Sequence, residues 1–239
     1  MKVIVVKDYD AVSKEAFAVM KEVVTNKKDA VLGLATGSSP IGLYKNMIQD
    51  HKDNGTSYAQ CQSFNLDEYV GIDRNHPESY WTFMHENLFK GIDLPEDKIH
   101  VPYGSTKEDC EGYEKAMEYV SVDVQVLGIG GNGHIGFNEP GAAFEKETHL
   151  VDLAESTIRA NARFFASIDE VPKQAYTMGI RTIMQAKKIL VVVSGEGKAD
   201  IVSRAFFGPV TPEVPASILQ MHPDVTVVCD EAALSMSPL

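Results

Sequence analysis

The sixteen residues VLGIGGNGHIGFNEPG, Val126 to Gly141, hold the chain's densest set of groups suited to acid–base chemistry. An apolar run leads into Gly128, Gly130, Gly131 and Gly133, and Asn132, His134, Asn138 and Glu139 fall within eight positions. A histidine titrates close to neutral pH, so His134 suits taking and returning a proton, and a nearby carboxylate can orient it. Glycines at this density let backbone approach a ligand closely. A surface loop could hold one His and one Glu by chance, but the combination after a buried strand favours a site. One His and one Glu without a clear third ligand do not make a metal centre, and none is expected.

Three further groups follow other apolar runs. In FNLDEYVG the carboxylates Asp67 and Glu68 are adjacent. Side chains alternate along an extended strand, so only one of them can face a given site; the other is a support or a surface charge. LATGSSPIGLY reads as a strand passing through Thr36, Gly37, Ser38, Ser39 and Pro40 into a helix. Its hydroxyls and free N–H groups suit an anion, and they suit an ordinary helix cap equally well. It is neither a Walker loop nor GxGxxG. Basic residues appear as Arg159 and Arg163 in STIRANARFF, and as Lys198 in the turn SGEGKADI. They are counter-ions for a ligand phosphate or, more plainly, a solvated helix face and a surface lysine.

Short runs rich in β-branched residues would position these groups: KVIVVK (2–7), AVLGLATG (30–37), QSFNLDEY (62–69), KIHVPY (98–103), DVQVLGIGG (123–131), KILVVVSG (188–195) and DVTVVCD (224–230). Several are apolar at consecutive positions, as in strands covered on both faces of a mostly parallel sheet. Between them, Val12, Ala16, Val19 and Val23 repeat at helical spacing, as do Tyr80, Phe83, Met84 and Leu88, and Cys110, Tyr113, Met117 and Val120. GPVTPEVP (208–215) reads as a loop before a last helix and strand. The alternation predicts an α/β fold with an open, mostly parallel sheet and helices on both faces, in one domain over residues 1–239. In such sheets ligands bind beyond the carboxyl ends of the strands, where the polar motifs fall.

With 22 Lys and Arg against 34 Asp and Glu, the formal charge is −12. That sign disfavours nucleic acid and anionic membranes as partners, and no basic patch offsets it. Three widely spaced cysteines argue against a disulfide framework, and no long apolar run suggests a membrane span. The expectation is a reduced, cytoplasmic protein. Without a nucleotide fingerprint or an activated Ser or Cys nucleophile, the residues point to proton shuffling on a small phosphorylated metabolite.

LATGSSP, NLDEYVG, HPESY and above all GIGGNGHIGFNEPG closely resemble the glucosamine-6-phosphate deaminase family, also called glucosamine-6-phosphate isomerases. The likeness continues in order through RANARFF, VPKQAYTMGI, SGEGKA, PASILQ and HPDVTVVCD. It implies a modified Rossmann-like sandwich that converts glucosamine 6-phosphate and water to fructose 6-phosphate and ammonia, without a cofactor, in amino sugar catabolism. Asp67 then matches the base that moves the C2 proton, His134 the acid/base that opens the ring, and Glu139 its supporting carboxylate. Asn132 stands where some relatives carry an Asp; the neutral amide favours imidazolium less than a carboxylate does, which implies a lower pH optimum. Thr36, Gly37, Ser38, Ser39, Arg163 and Lys198 match the phosphate contacts. Apart from the resemblance, residues 143–165 are open to two readings, fixed chain or a mobile lid of the kind that commonly gates water from phosphosugar sites.

Allosteric relatives bind an acetylated sugar phosphate through basic residues and have a longer C-terminal tail. His149 and Val151 stand at the matching positions, so the resemblance implies no such activation and a monomer or small homo-oligomer. The nearest rival, 6-phosphogluconolactonase, shares the fold and a Gly-rich loop with a histidine, but is not expected to carry FNEPG. A sugar-phosphate-binding transcriptional regulator would need a DNA-binding segment and basic surface.

Overall fold

The computed structural model describes residues 1–153, 155, 158, 159, 162, 165 and 167–238. Along the chain run β1 (Lys2–Val6), α1 (Tyr9–Asn26), β2 (Val31–Leu34), α2 (Ile41–Asn54), β3 (Gln62–Asn65), β4 (Asp67–Tyr69), α3 (Tyr80–Asn87), β5 (Ile99–His100), α4 (Lys107–Glu118), β6 (Val124–Leu127), β7 (His149–Asp152), β8 (Gln174–Thr177), β9 (Ile189–Val193), α5 (Ala199–Phe207) and β10 (Val225–Asp230). Single helical turns at Ile180–Ile183 and Glu231–Leu234 and several 3-10 turns complete the described elements.

A seven-stranded sheet runs β1-β10-β9-β6-β2-β3-β5 with every pairing parallel. Its central strands are apolar on both sides because both sides are covered. Leu32, Leu34, Val124, Val126, Leu190 and Val192 face a core shared with Val12, Ala16 and Met20 of α1, Leu43 and Met47 of α2, and Met84 of α3. Val31, Leu127, Ile189, Val191 and Val193 face the opposite core with Met117 of α4 and Ile201, Val202 and Phe206 of α5. The helical repeats read from sequence thus supply the two outer layers. Asp8 starts α1 by accepting the Ala11 N–H at 2.9 Å.

One expectation needs correction. QSFNLDEY is not one strand: the chain leaves the large sheet at Leu66, and β4 joins a separate sheet in the order β4-β8-β7, all antiparallel. Leu66 bridges the two by donating to the Leu34 carbonyl at 3.1 Å and accepting from the Met178 N–H at 2.6 Å. The second sheet escaped sequence reading because β7 and β8 are only four residues each and lack a long β-branched run.

Strand order also locates the crevice. From β2 the chain moves outward to β3 and β5, then returns to β6 on the other side of β2 and continues to β9 and β10. The carboxyl ends of β2 and β6 therefore flank the point where the winding direction reverses, the usual place for a ligand in an open α/β sheet. Beyond them lie Thr36–Ser39 and Gly128–Glu139.

Candidate active site

A cavity of about 280 Å³ opens at that reversal, lined among others by Thr36, Gly37, Ser38, Ser39, Asp67, Tyr80, Gly130, His134 and Lys198. The first wall is the turn after β2. Tyr44 secures the strand's end, its hydroxyl accepting from the Ala35 N–H at 3.1 Å and donating to the Ala35 carbonyl at 2.6 Å. Gly37 then takes φ +92°, a left-handed conformation that other residues adopt only with strain. Among the described residues the backbone N–H groups of Thr36, Gly37, Ser38 and Ser39 have no hydrogen-bond partner, which leaves four donors at the mouth of α2.

The second wall is the loop after β6. His134 packs directly over Gly130, where an added Cβ would lie 2.3 Å from the imidazole Cε1, so a larger residue there would displace the imidazole. His134 Nδ1 lies 3.3 Å from Glu139 Oε1; the two make an ion-pair contact without hydrogen-bond alignment. The imidazole opposite it holds the Glu139 carboxyl below its usual value. Asn132 Nδ2 donates to Glu139 Oε2 at 2.6 Å, and Asn132 Oδ1 accepts the His134 N–H at 3.1 Å. Asn132 therefore braces the carboxylate and the loop backbone. Asn138 is buried and donates to the Ile135 and Met178 carbonyls, a structural staple.

Asp67 forms the third wall and is 7% exposed. Burial foremost, with the Glu68 charge second, pushes its carboxyl up to about 8. Glu68 is also buried and faces away, accepting from the N–H groups of Tyr69, Tyr80 and Trp81 at 2.9, 3.0 and 3.0 Å. It thereby caps the start of α3, where it meets the partial positive charge of the helix N-terminus. Burial raises its pKa to about 7 while those three donors and Arg74 oppose the rise. The Glu68 charge adds to burial in keeping the Asp67 proton in place. Neither carboxylate is the solvated strand end that the adjacent pair DE suggests in isolation.

Sheet register brings Asp67 and His134 into one cavity. Asp67 pairs with Thr177 across β4 and β8, and Thr177 Oγ1 accepts the Phe137 N–H at 3.0 Å, so the histidine loop is tied to the strand beside Asp67. Lys198, on the 3-10 turn Glu196–Lys198, closes the far side, its Nζ donating to the Ile129 carbonyl at 2.7 Å. Burial lowers its pKa. Arg159 is exposed and pairs with Glu155, the plain reading of that residue, while Arg163 lies outside the described residues. The lid expectation over 143–165 falls partly outside them too; within it, His149–Asp152 is strand β7. Tyr80 was missed as a lining residue, although HPESY ends on it. Among the described residues no three His, Cys, Asp or Glu side chains are grouped to hold a metal ion. Nor is any described helix long and apolar enough to cross a membrane.

The sequence model of the family described as glucosamine-6-phosphate isomerases/6-phosphogluconolactonase matches residues 8–228. The chain belongs to this family. Within it, a protein of Lachnoclostridium phytofermentans named glucosamine-6-phosphate deaminase is 51% identical over 233 residues, covering 96% of this chain and 99% of the relative. One of the same name from Geobacillus sp. is 48% identical over 242 residues, covering 100% and 96%. Among solved structures, a monomeric glucosamine-6-phosphate deaminase superposes with TM-score 0.94 at 42% identity, over 99% of this chain and 100% of that one. The 6-phosphogluconolactonase from Trypanosoma cruzi, at 17% identity and TM-score 0.79, shares the fold of the family.

Proposed function

We propose that this chain is a glucosamine-6-phosphate deaminase, taking glucosamine 6-phosphate and water to fructose 6-phosphate and ammonia in amino sugar metabolism. The observation that carries the assignment of roles is the meeting of Asp67 and His134 in one cavity whose other end holds the Thr36–Ser39 turn and Lys198. Two proton-transfer groups from different walls, with an anion-binding end, match an amino sugar bearing a terminal phosphate.

The phosphate is held by the free N–H groups and hydroxyls of the turn and by Lys198, joined by Arg163. His134 takes the proton of the anomeric hydroxyl and returns one to the ring oxygen, which opens the ring. Glu139 faces the imidazole, and Asn132 keeps Glu139 in place. Asp67 then removes the C2 proton. Its raised pKa is a proton affinity suited to that task, and the substrate's ammonium group, brought beside it, favours the ionised carboxylate. The enolamine is protonated at C1, and water hydrolyses the resulting C2 imine, so that nitrogen leaves as ammonia and the carbonyl oxygen comes from water. No step needs an oxidant or a metal ion.

Incubation with glucosamine 6-phosphate should release ammonia and fructose 6-phosphate in equal amounts, with no hydrolysis of 6-phosphogluconolactone. Lactone hydrolysis without ammonia release would assign the chain to the other branch of the family. We further propose a cytoplasmic enzyme, monomeric or a small homo-oligomer, that N-acetylglucosamine 6-phosphate does not activate, in keeping with His149 and Val151 on β7. A sigmoidal rate curve straightened by that ligand would overturn the last point.

A further inference from the structure

Tyr9 lies outside the catalytic cavity, at the first position of α1, yet its hydroxyl reaches the turn that forms the cavity's phosphate end. It accepts from the Gly42 N–H at 2.9 Å and donates to the Ser38 carbonyl at 2.9 Å, with the Ser39 carbonyl at 3.4 Å. Tyr9, Ser38, Ser39, Ser194 and Lys198 line a second hollow beside the turn. Ser38, Ser39 and Lys198 line both this hollow and the catalytic cavity, whereas Tyr9 lines only the second hollow.

We propose that Tyr9 is a positioning residue for substrate binding: its hydroxyl fixes the Ser38–Ser39 peptide with the Ser39 N–H turned into the phosphate end of the cavity. The inference rests on the reading that residues 36–39 hold the substrate phosphate. In a trans peptide the C=O and the following N–H point in opposite directions. No cis peptide bond occurs among the described residues. A Ser38 carbonyl drawn back to Tyr9 therefore sends the Ser39 N–H the opposite way. The reverse orientation would present a carbonyl oxygen to a phosphate dianion, which repels it. Gly37, immediately before, makes the turn easy to reorient, so an external restraint is needed to select one orientation.

The surroundings are built around this contact. Ser13 Oγ donates to the Tyr9 carbonyl at 2.8 Å. Position 42 must be small there, since a Cβ would lie 2.0 Å from Ser13 Oγ and 3.2 Å from Tyr9 Cε1. The Gly42 N–H belongs to the first turn of α2, whose early N–H groups have no partner within the helix, and the Tyr9 hydroxyl satisfies it. One hydroxyl thus closes the helix start and orients the turn.

The test is Tyr9→Phe, with steady-state deamination kinetics and inorganic phosphate as the competing anion. Loss of one neutral hydrogen bond should raise both the KM for glucosamine 6-phosphate and the inhibition constant of phosphate by roughly 3- to 10-fold, with a smaller effect on kcat. Ser13→Ala, which loosens the same helix contact without touching the turn, should leave both constants nearly unchanged. Unchanged constants in Tyr9→Phe would overturn the inference, as would equal changes in Ser13→Ala. Lys198→Ala and Ser39→Ala identify which idea has failed. If they weaken phosphate inhibition and Tyr9→Phe does not, the positioning role falls alone; if none of the three does, the phosphate-site reading falls first.

Discussion

Replacing Asp67 by Asn removes a titratable site from a side chain that is 7% exposed and sits beside a second buried carboxylate. Because its pKa is raised from 3.8 to about 8, the folded chain keeps a proton that the unfolded chain releases across that interval. The stability linked to this proton is complete below the unfolded value and drains away as pH rises towards about 8. Asn has no proton to lose, so Asp67→Asn should become progressively more stable than wild type with rising pH. At about 1.36 kcal/mol per pH unit the ceiling is ~2 kcal/mol near pH 5 and ~6 kcal/mol above pH 8. Coupling to Glu68 and the opening towards the cavity reduce this, leaving an expected gain of ~1–3 kcal/mol at alkaline pH, or roughly 2 to 10 °C in Tm. Urea and thermal unfolding of both proteins from about pH 5 to about pH 9 measure it. Parallel stability curves, or a variant that loses ground as pH rises, would refute the reasoning. The same variant should bind glucosamine 6-phosphate and not turn it over; retained deamination would remove Asp67 from the mechanism.

Three other substitutions address the neighbouring elements. Glu68→Gln withdraws the charge that helps raise Asp67, so the acid limb of the kcat/KM profile should move to lower pH. It also turns an NH2 group towards one of the three N–H donors at the start of α3, at a cost of ~1–3 kcal/mol in urea unfolding. Lys198→Ala should raise the KM for the sugar phosphate roughly 10- to 100-fold with a smaller effect on kcat, since a charged contact to phosphate is worth ~1.5–3 kcal/mol; steady-state kinetics read this. Asp123, which accepts from Lys27 Nζ, Lys187 Nζ and the Val31 N–H at 2.6, 2.8 and 2.8 Å, ties β2 to β6 below the site. Those partners hold its pKa below 3.8 against the effect of burial, so its stabilisation is present at neutral pH and lost as pH falls through the lowered value. Asp123→Ala should cost ~2–4 kcal/mol near pH 7 by urea unfolding, and progressively less once the pH falls below the ordinary Asp range.

The large sheet was legible because parallel strands covered on both faces must be apolar at consecutive positions, and ILVVV of β9 and VTVVCD of β10 are. The turn at residues 36–40 and the glycine-rich loop were legible as connections leaving strand ends, although residue type alone left the turn either an anion cradle or an ordinary helix cap. What sequence could not supply was the second sheet and its register. Nothing in QSFNLDEY announces that Leu66 leaves one sheet for another, because its bridging contacts run to Leu34 and Met178, far along the chain. The role of Glu68 was hidden for the same reason: its partners are the first N–H groups of a helix twelve residues on. Alternation on a strand indicated that the two carboxylates part, but only the fold says that the second one caps α3 and bears on the first.

A chain of charge −12 is an unpromising receptor for a phosphate dianion if charge is treated as spread evenly. If the Thr36–Ser39 turn holds the phosphate as proposed, the site escapes that constraint by building its phosphate end mostly from neutral donors. N–H groups at the mouth of α2 carry partial positive charge that exists whatever the net balance, and the two buried carboxylates opposite are kept largely protonated or turned away. Burial and the neighbouring Glu68 charge both favour the protonated form of Asp67, which lessens the negative charge in the cavity, while Glu68 turns its carboxylate to the start of α3. On the proposed reading, the raised pKa of Asp67 serves binding and catalysis together: it spares the incoming phosphate a repelling charge, and the ammonium group arriving beside it then favours the ionised form that abstracts the proton.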